Sequence, residues 1–570
     1  MKTRFERATS NDRSDVPIAR LEAAGAIPVS VRSFSRCSAQ PEVEIMARSD
    51  ADIRSPSLWE SRSLRLGAFI LAAVMAAAAF FSVVGKADSA GQAKAPPPPS
   101  DARTELGINL FGLANFNRDQ VYLNLVTQSE WFSSRGEGWT LMPKEQLDRN
   151  GWVRELKPGQ TAPRPLMLPP APFRAVQVRC EYRGHGEITA GGVARIQSSG
   201  EGWLMLDLSP TGAADEGGWI ELVGTDAANP VRDIDCRDIA FPRSERFHPA
   251  FLKFVQDFKV VRFLDWQRIN DNAAVSWADR ATQENSSQVT PAGASIEDMI
   301  DLANRTKTDP WFLMPYKADE RYIREFALLV RKKLDPERTV YVELGNEVWN
   351  DMFDAAQQAQ REGMMMKLGN GDAKRAQMIR YAQKVRAAMK IWTEVYADSP
   401  ERLVRVAASQ HAYSDLANMI LEDADTVRWV DALATAPYIW FDLKGYGSGD
   451  LDRIFAAMPD AIEHTMKFVD ENRAIAAKHG KRFIAYEGGQ HLVTSDLVLA
   501  RAIQRDPRMA GVYERYLAEW DRRARSTLTL YASTAPIADY GSWGLKEYAG
   551  QPLDQTPKLR AVKQFQARDR

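Results

Sequence analysis

The sequence predicts an α/β protein: a (β/α)8 TIM barrel with an inserted all-β, sandwich-like domain between barrel strands one and two, preceded by a transmembrane helix. Three observations predict it. Apolar runs near residues 108, 260, 312, 342, 405, 434, 484 and 529 alternate with helical patterns, and eight such units close into a parallel barrel. Between the first two, over about 137–239, short alternating runs broken by glycine take over, among them "AVQVRCEYRG" and "GGWIELVGT", the pattern of antiparallel β structure. Ahead of both, "LGAFILAAVMAAAAFFSVV" at 66–84 carries no charge, and about 20 apolar residues cross a bilayer as a helix.

In chain order, residues 1–65 have no periodic apolar face and read as a disordered cytoplasmic tail, with Met46 as an alternative start. Residues 66–85 follow, with Arg62 and Arg65 before them and Lys86 after. The cationic side stays in the cytoplasm, and the small residues of "GKADSAGQA" leave anchor and cleaved signal both open. Either way the remainder is exported: it is anchored in the inner membrane on the periplasmic or cell-surface side, or it is secreted. The linker 86–103 holds "KAPPPPS", a polyproline spacer.

The first β/α unit spans 104–136, as a strand at Ile108–Phe111 and a helix over "DQVYLNLVTQSEWF". The β insert spans 137–240 and the rest of the barrel 241–570. There "KVVRFLDW" is strand two, and Ser295 opens a helix with capping spacing to Asp298. "PWFLMPY" is strand three, and the helix "ERYIREFALLVRKKL" stops at Asp335-Pro336. "TVYVEL" is strand four, followed by a long helical stretch from Met352 to Tyr396. Strands "LVRVAAS", "ALATAPY", "RFIAYEGG" and "LTLY" complete the barrel, separated by helices at Asp415–Glu422, at Asp460–Lys478 and over "YERYLAEWDRRAR".

Composition excludes several function classes. Lys plus Arg (74) balance Asp plus Glu (75), and no basic stripe with interleaved aromatics is present, which argues against nucleic acid as a partner. Six histidines without a His/Cys cluster at ligand spacing give no metal site, and no cofactor is expected. Cys37 precedes the apolar segment; Cys180 and Cys236 follow it within the β insert and are either a disulfide or two free thiols.

Two stretches carry chemistry. "VYVELGNEVWN" (340–350) puts Glu347 at the end of strand four, and "RFIAYEGGQHL" (482–492) puts Glu487 at the end of strand seven. The ends of parallel barrel strands gather at one mouth, so these carboxylates face one another across it. Hydrolysis of a glycosidic bond needs such a pair, one protonated to serve the leaving oxygen and one ionised to attack the anomeric carbon or activate water.

"GNEVWN" together with "YEGG" resembles the retaining glycoside hydrolases of clan A, over residues 105–128 and 241–550. More narrowly, "GINLFGLANF", "LDRNGWVRELKPGQ", "VELGNEVWN" and "YEGGQHL" resemble exported bacterial proteins described as cellulose-binding. The resemblance implies Glu347 as general acid/base, Glu487 as nucleophile and Asn346 as a partner of the substrate 2-hydroxyl. It implies that Tyr438 donates to the nucleophile, that Trp543 floors the sugar site, and that Arg262 or Asp265 orients the nucleophile or binds hydroxyls; His411, at the end of strand five, is expected to join them in binding substrate. The implied substrate is a β-linked polysaccharide, cellulose or another β-glucan or exopolysaccharide. The sequence departs from the pattern at Val348, where most members carry proline, and in "PWFLMPY", which lacks a histidine common in relatives. The competing readings are a non-catalytic carbohydrate-binding or matrix protein and a transglycosylase.

Overall fold

A computed structural model describes residues 103–568 apart from 137, 214 and 215. The expected tail, apolar segment and nearly all of the linker, with Met46 and Cys37, lie outside the described residues. No helix among the described residues is long and apolar enough to cross a membrane.

Eight parallel strands close a barrel: β1 (Leu106–Asn109), β11 (Val260–Arg262), β12 (Asp309–Met314), β13 (Val340–Leu344), β14 (Leu403–Ala408), β15 (Ala432–Thr435), β17 (Arg482–Ala485) and β19 (Leu528–Leu530). Residues 110–259 separate the first two barrel strands, and two further short strands, β16 (Tyr438–Trp440) and β18 (Gly489–His491), stand at the mouth. Register runs Asn109↔Arg262, Arg262↔Trp311 and Trp311↔Tyr341 across the first four strands. Side chains alternate across each strand. In β13, Val340, Val342 and Leu344 join the outer core against the helices, while Tyr341 faces the barrel interior with Val260, Trp311, Val404 and Ile484. The same alternation turns Asn109, Arg262 and Glu343 inward. Gly107 also points inward: a Cβ there would lie 2.5 Å from Thr529 Cγ2.

Helices α1 (Pro249–Val255), α2 (Ile296–Thr306), α3 (Glu320–Lys333), α4 (Asp354–Met365), α5 (Ala373–Val395), α6 (Asp415–Leu421), α7 (Thr426–Trp429), α8 (Leu451–Lys478), α9 (Leu497–Arg505), α10 (Arg508–Arg523) and α11 (Pro557–Arg568) accompany the strands. Ser295 Oγ caps α2 by accepting from Asp298 N at 3.3 Å. The single helical stretch expected over Met352–Tyr396 is two helices, because Lys367, Gly369 and Asn370 take left-handed backbone angles between α4 and α5. Helix α8 starts earlier than expected and runs through Pro459.

The helix expected over "DQVYLNLVTQSEWF" is not there; the segment is a bridge and a series of turns. Its backbone bonds go elsewhere: Leu123 N donates to Arg246 O and Leu125 N to Cys236 O, both at 2.9 Å, while Val121 N donates to the Gln128 side chain at 2.7 Å. Val121, Tyr122, Leu123, Leu125 and Val126 are all buried. A helix buries one face, whereas here the chain is wrapped on every side by the insert and the barrel.

The insert consists of β2 (Phe132–Ser133), β3 (Thr140–Leu141), β4 (Ala162–Leu166), β5 (Val176–Arg183), β6 (Gly186–Gly192), β7 (Ala194–Gly200), β8 (Trp203–Leu208), β9 (Gly218–Thr225) and β10 (Arg232–Asp238). A four-stranded sheet (β10-β5-β8-β7) and a three-stranded sheet (β4-β9-β6) share one core, in which Val178, Leu204 and Leu206 meet Ala162, Ile220 and Leu222. Cys180 and Cys236 are register partners on β5 and β10 and form a disulfide. Arg164, fully buried, donates to the carbonyls of Val126 (2.8 Å), Ser129 (3.1 Å) and Ser286 (2.5 Å), tying β4 to loops on the barrel side.

Candidate active site

The site is built on a buried arginine. Arg262, at the end of β11, has five N–H donors and makes five hydrogen bonds: to Glu343 Oε2 from Nε (3.2 Å) and Nη2 (3.0 Å), to Asn109 Oδ1 (3.0 Å), to Glu487 Oε1 (2.9 Å) and to Asn346 Oδ1 (2.9 Å). Glu343 is also held by Trp311 Nε1 at 2.9 Å. A charge this deep is tolerated because its carboxylates and amides satisfy it on every side.

Above this layer the end of β13 turns sharply. Gly345 has φ +65, and a Cβ there would lie 2.6 Å from Val348 Cγ2. Two residues on, Glu347 sits at φ 44, an uncommon conformation for a side chain of this kind. Asn350 holds it there: its backbone N donates to Glu347 O at 2.7 Å and its Nδ2 to Glu347 Oε2 at 2.9 Å. The Tyr486 hydroxyl donates to Oε1 at 3.2 Å.

Glu487 follows β17 with different partners. Besides Arg262, the Tyr438 hydroxyl donates to Oε2 at 2.8 Å. Tyr438 is placed by β16, which pairs in parallel with β18 as a ledge at the mouth. Burial raises the Glu487 pKa, while Arg262 and Tyr438 pull it back. Burial and then the charge of Glu487 push Glu347 up to about 7, against the hydrogen bonds of Asn350 and Tyr486. Of the two carboxyls, Glu347 has neutral partners and is pushed up to about 7, while at Glu487 a cation and a hydroxyl oppose the rise that burial causes.

Trp543 stands on the strand-eight side, half-buried, its Nε1 donating to His491 Nδ1 at 3.3 Å. The His491 ring lies between Tyr438 (5.5 Å) and Trp543 (5.7 Å), and burial lowers its pKa to about 4. The Trp543 loop is pinned from behind at Ser542 O, which accepts from Gln490 Nε2 (2.7 Å) and Lys558 Nζ (2.9 Å).

Of the residues singled out in the sequence, Glu347, Glu487, Asn346, Tyr438 and Arg262 are therefore linked directly or through one partner, with Trp543 joined to Tyr438 through His491. Asn346 spends its amide inside the protein, Oδ1 on Arg262 and Nδ2 on Asn270 Oδ1 at 3.1 Å. His411 departs from expectation. Its ring nitrogens bond Thr435 Oγ1 (2.9 Å) and Thr465 O (3.0 Å), its ring packs on Phe468, and it makes no contact with either glutamate. It ties strand five to strand six and α8, so its polarity is consumed structurally. Sequence reasoning missed Tyr486, Asn350, Glu343 and His491. Tyr486 and His491 lay inside the quoted "YEGGQHL" motif, and the inward parity of Glu343 was available from the alternation of β13. Among the described residues no group of three or more His, Cys, Asp or Glu is arranged to hold a metal ion.

No family model matches the chain, and no curated protein does. Among solved structures, an α-L-arabinofuranosidase from Thermotoga maritima in complex with arabinose aligns at 13% identity over 51% of this chain and 59% of its own, with a TM-score of 0.34. The paired modules of a Clostridium thermocellum endo-1,4-β-D-xylanase, complexed with xylohexaose, align at 9% identity over 81% and 97%, TM-score 0.35. A monomeric β-xylosidase from Caulobacter crescentus aligns at 13% over 56% and 65%, TM-score 0.35. The chain spans about three fifths of the length of the first of these.

Proposed function

We propose that the chain is a retaining glycoside hydrolase that cuts a β-linked polysaccharide by double displacement. The observation that carries this reading is the asymmetry of the two glutamates: Glu347, among neutral partners, is raised to about 7 by burial and its neighbour's charge, while Glu487 is bonded by an arginine and a tyrosine that oppose the rise burial causes. Glycoside hydrolysis asks for that division of labour. Glu487 attacks the anomeric carbon while Glu347 gives its proton to the departing oxygen, leaving a glycosyl ester on Glu487. Glu347, now ionised, takes a proton from water as that water attacks the same carbon and frees Glu487. Trp543 offers the flat apolar face on which a sugar ring rests. A β-glucan or related exopolysaccharide is the substrate class we favour, met outside the cytoplasm; the Cys180–Cys236 disulfide supports export, since such bonds persist in oxidising compartments.

The test is reducing-sugar release from a panel of β-glucans and bacterial exopolysaccharides, with the anomer first formed read by NMR. Glu347→Gln and Glu487→Gln are each expected to cost about a thousandfold or more in kcat while still binding the polymer. An inverted first product, or binding without any cleavage, would exclude the double displacement.

A further inference from the structure

Beyond Glu343, Glu347 and Glu487, the site has a fourth carboxyl. Asp265 lies three residues beyond β11, and its Oδ2 accepts from the Tyr531 hydroxyl at 3.0 Å. Tyr531 directly follows β19 and sets its ring against Trp543 at 5.7 Å and 64°, with Tyr540 on the same indole at 6.5 Å. Asp265 thus belongs to the wall of the mouth where a sugar would rest. It feels the charges of Glu487, Arg262 and Asp271, and Asp271 is itself paired with Arg268. Among the described residues Asp265 makes no salt bridge. Burial is the largest effect on it and raises its pKa to about 7.

The cation of the site has nothing left to give. Arg262 is 0% exposed and spends all five donors on Glu343, Asn109, Glu487 and Asn346, and His491 between Tyr438 and Trp543 is neutral above about pH 4. A carboxylate-bearing sugar placed here would meet the carboxylates of Glu487 and Asp265, with Arg262 and His491 offering it no charged donor, and like charges in a half-buried site repel strongly. A sugar hydroxyl has the opposite fate, since it donates a charge-assisted hydrogen bond to a carboxylate.

We infer that Asp265 is a specificity residue that binds hydroxyls of the sugar unit resting on Trp543 and restricts that position to uncharged sugars, excluding uronates. This rests on the hydrolase reading of the same mouth. The probes are matched oligosaccharides, neutral β-1,3- and β-1,4-glucans and the same chains oxidised to the carboxylate at C6. Their binding to Glu347→Gln is measured by calorimetry at pH ~8, where Asp265 is ionised. The neutral member is expected to bind about tenfold or more tightly than its oxidised partner, and adding Asp265→Asn is expected to weaken neutral binding about tenfold and shrink the selectivity to about threefold or less. With Glu347 intact, Asp265→Asn is expected to raise KM with kcat held within about twofold. Equal binding of the oxidised chain, or a fall in kcat at constant KM, overturns the role. Selective binding by a chain that never cleaves would keep Asp265 and sink the hydrolase; cleavage without selectivity would do the reverse. Binding of neither member would overturn both.

Discussion

Glu347 and Glu487 are one side chain in two settings, and the settings make different predictions. The proposed double displacement needs Glu347 protonated and Glu487 ionised, so kcat/KM is expected to be bell-shaped, with its alkaline limb near pH 7 set by Glu347. The same shift appears in stability. A carboxyl whose folded pKa is raised above its unfolded value contributes stability below the ordinary glutamate range, and that contribution is lost as pH rises through the folded value. Glu347→Gln removes the burden of a buried charge; by thermal melts it is expected to stabilise the protein by about 1–3 kcal/mol more at pH ~8 than at pH ~5. A gain that does not grow with pH would mean that Glu347 titrates normally. Arg262→Met acts the other way. It strands Glu343 and Glu487, and removing one partner of a buried ion pair costs about 3–5 kcal/mol. With the cation gone, the acid limb of the profile is expected to move to higher pH, because Glu487 loses the charge that pulls its pKa down. An unmoved acid limb in a folded variant would separate Arg262 from the nucleophile.

At the scale of elements, the β16–β18 ledge extends the site away from the carboxylates. Ile439 packs into the outer core, so Tyr438 and Trp440 share the opposite face of β16. Tyr438 reaches Glu487, whereas Trp440 is 54% exposed. In the proposed reading, an exposed indole one strand period beyond the Tyr438–Glu487 contact suits the next sugar of a chain. Trp440→Ala is expected to raise KM about three- to tenfold on oligosaccharides long enough to reach it and to leave the shortest cleaved substrate unchanged; an equal loss on both would assign Trp440 to packing. The barrel elements were the legible part of the sequence. All eight strand positions coincide with barrel strands, since strands buried on both faces leave continuous apolar runs. Within the site, Glu347 and Glu487 were legible because strand ends converge on one mouth, whereas Tyr438 and Arg262 came from the family resemblance. What failed was periodicity where burial is not one-sided. Val121 to Val126 face insert, barrel and crossing chain at once, so a pattern that mimics a helix carries no helix. His411 failed for another reason: a polar side chain at a strand end is equally useful for tying a strand to the helix outside it, and only the positions of Thr435 and Thr465 reveal which.

At the scale of the whole molecule, the chain leaves and re-enters the barrel through a narrow neck. Tyr122 and Phe247 form an antiparallel bridge and stack at 5.4 Å, with Leu123 N donating to Arg246 O and His248 N to Val121 O at 2.8 Å. Beyond the neck, Cys236 receives the departing chain twice, its carbonyl accepting from Leu125 N and its own N donating to Asn124 Oδ1 at 3.0 Å. The disulfide from Cys236 to Cys180 therefore secures both the insert's four-stranded sheet and the strand that holds the neck. Its sequence separation is 56, and closing a loop of that size removes unfolded-state entropy worth roughly 4 kcal/mol. None of the hydrogen bonds that fix Glu347, Glu487, Arg262 or Tyr438 comes from β2–β10. Reduction, or Cys180→Ser with Cys236→Ser, is expected to lower the melting of the insert and expose it to limited proteolysis while cleavage of short oligosaccharides persists. Calorimetry should then show the insert's transition moving below that of the barrel. If both move together and activity falls with them, the neck transmits the loss, and the insert is part of what holds the catalytic mouth in shape.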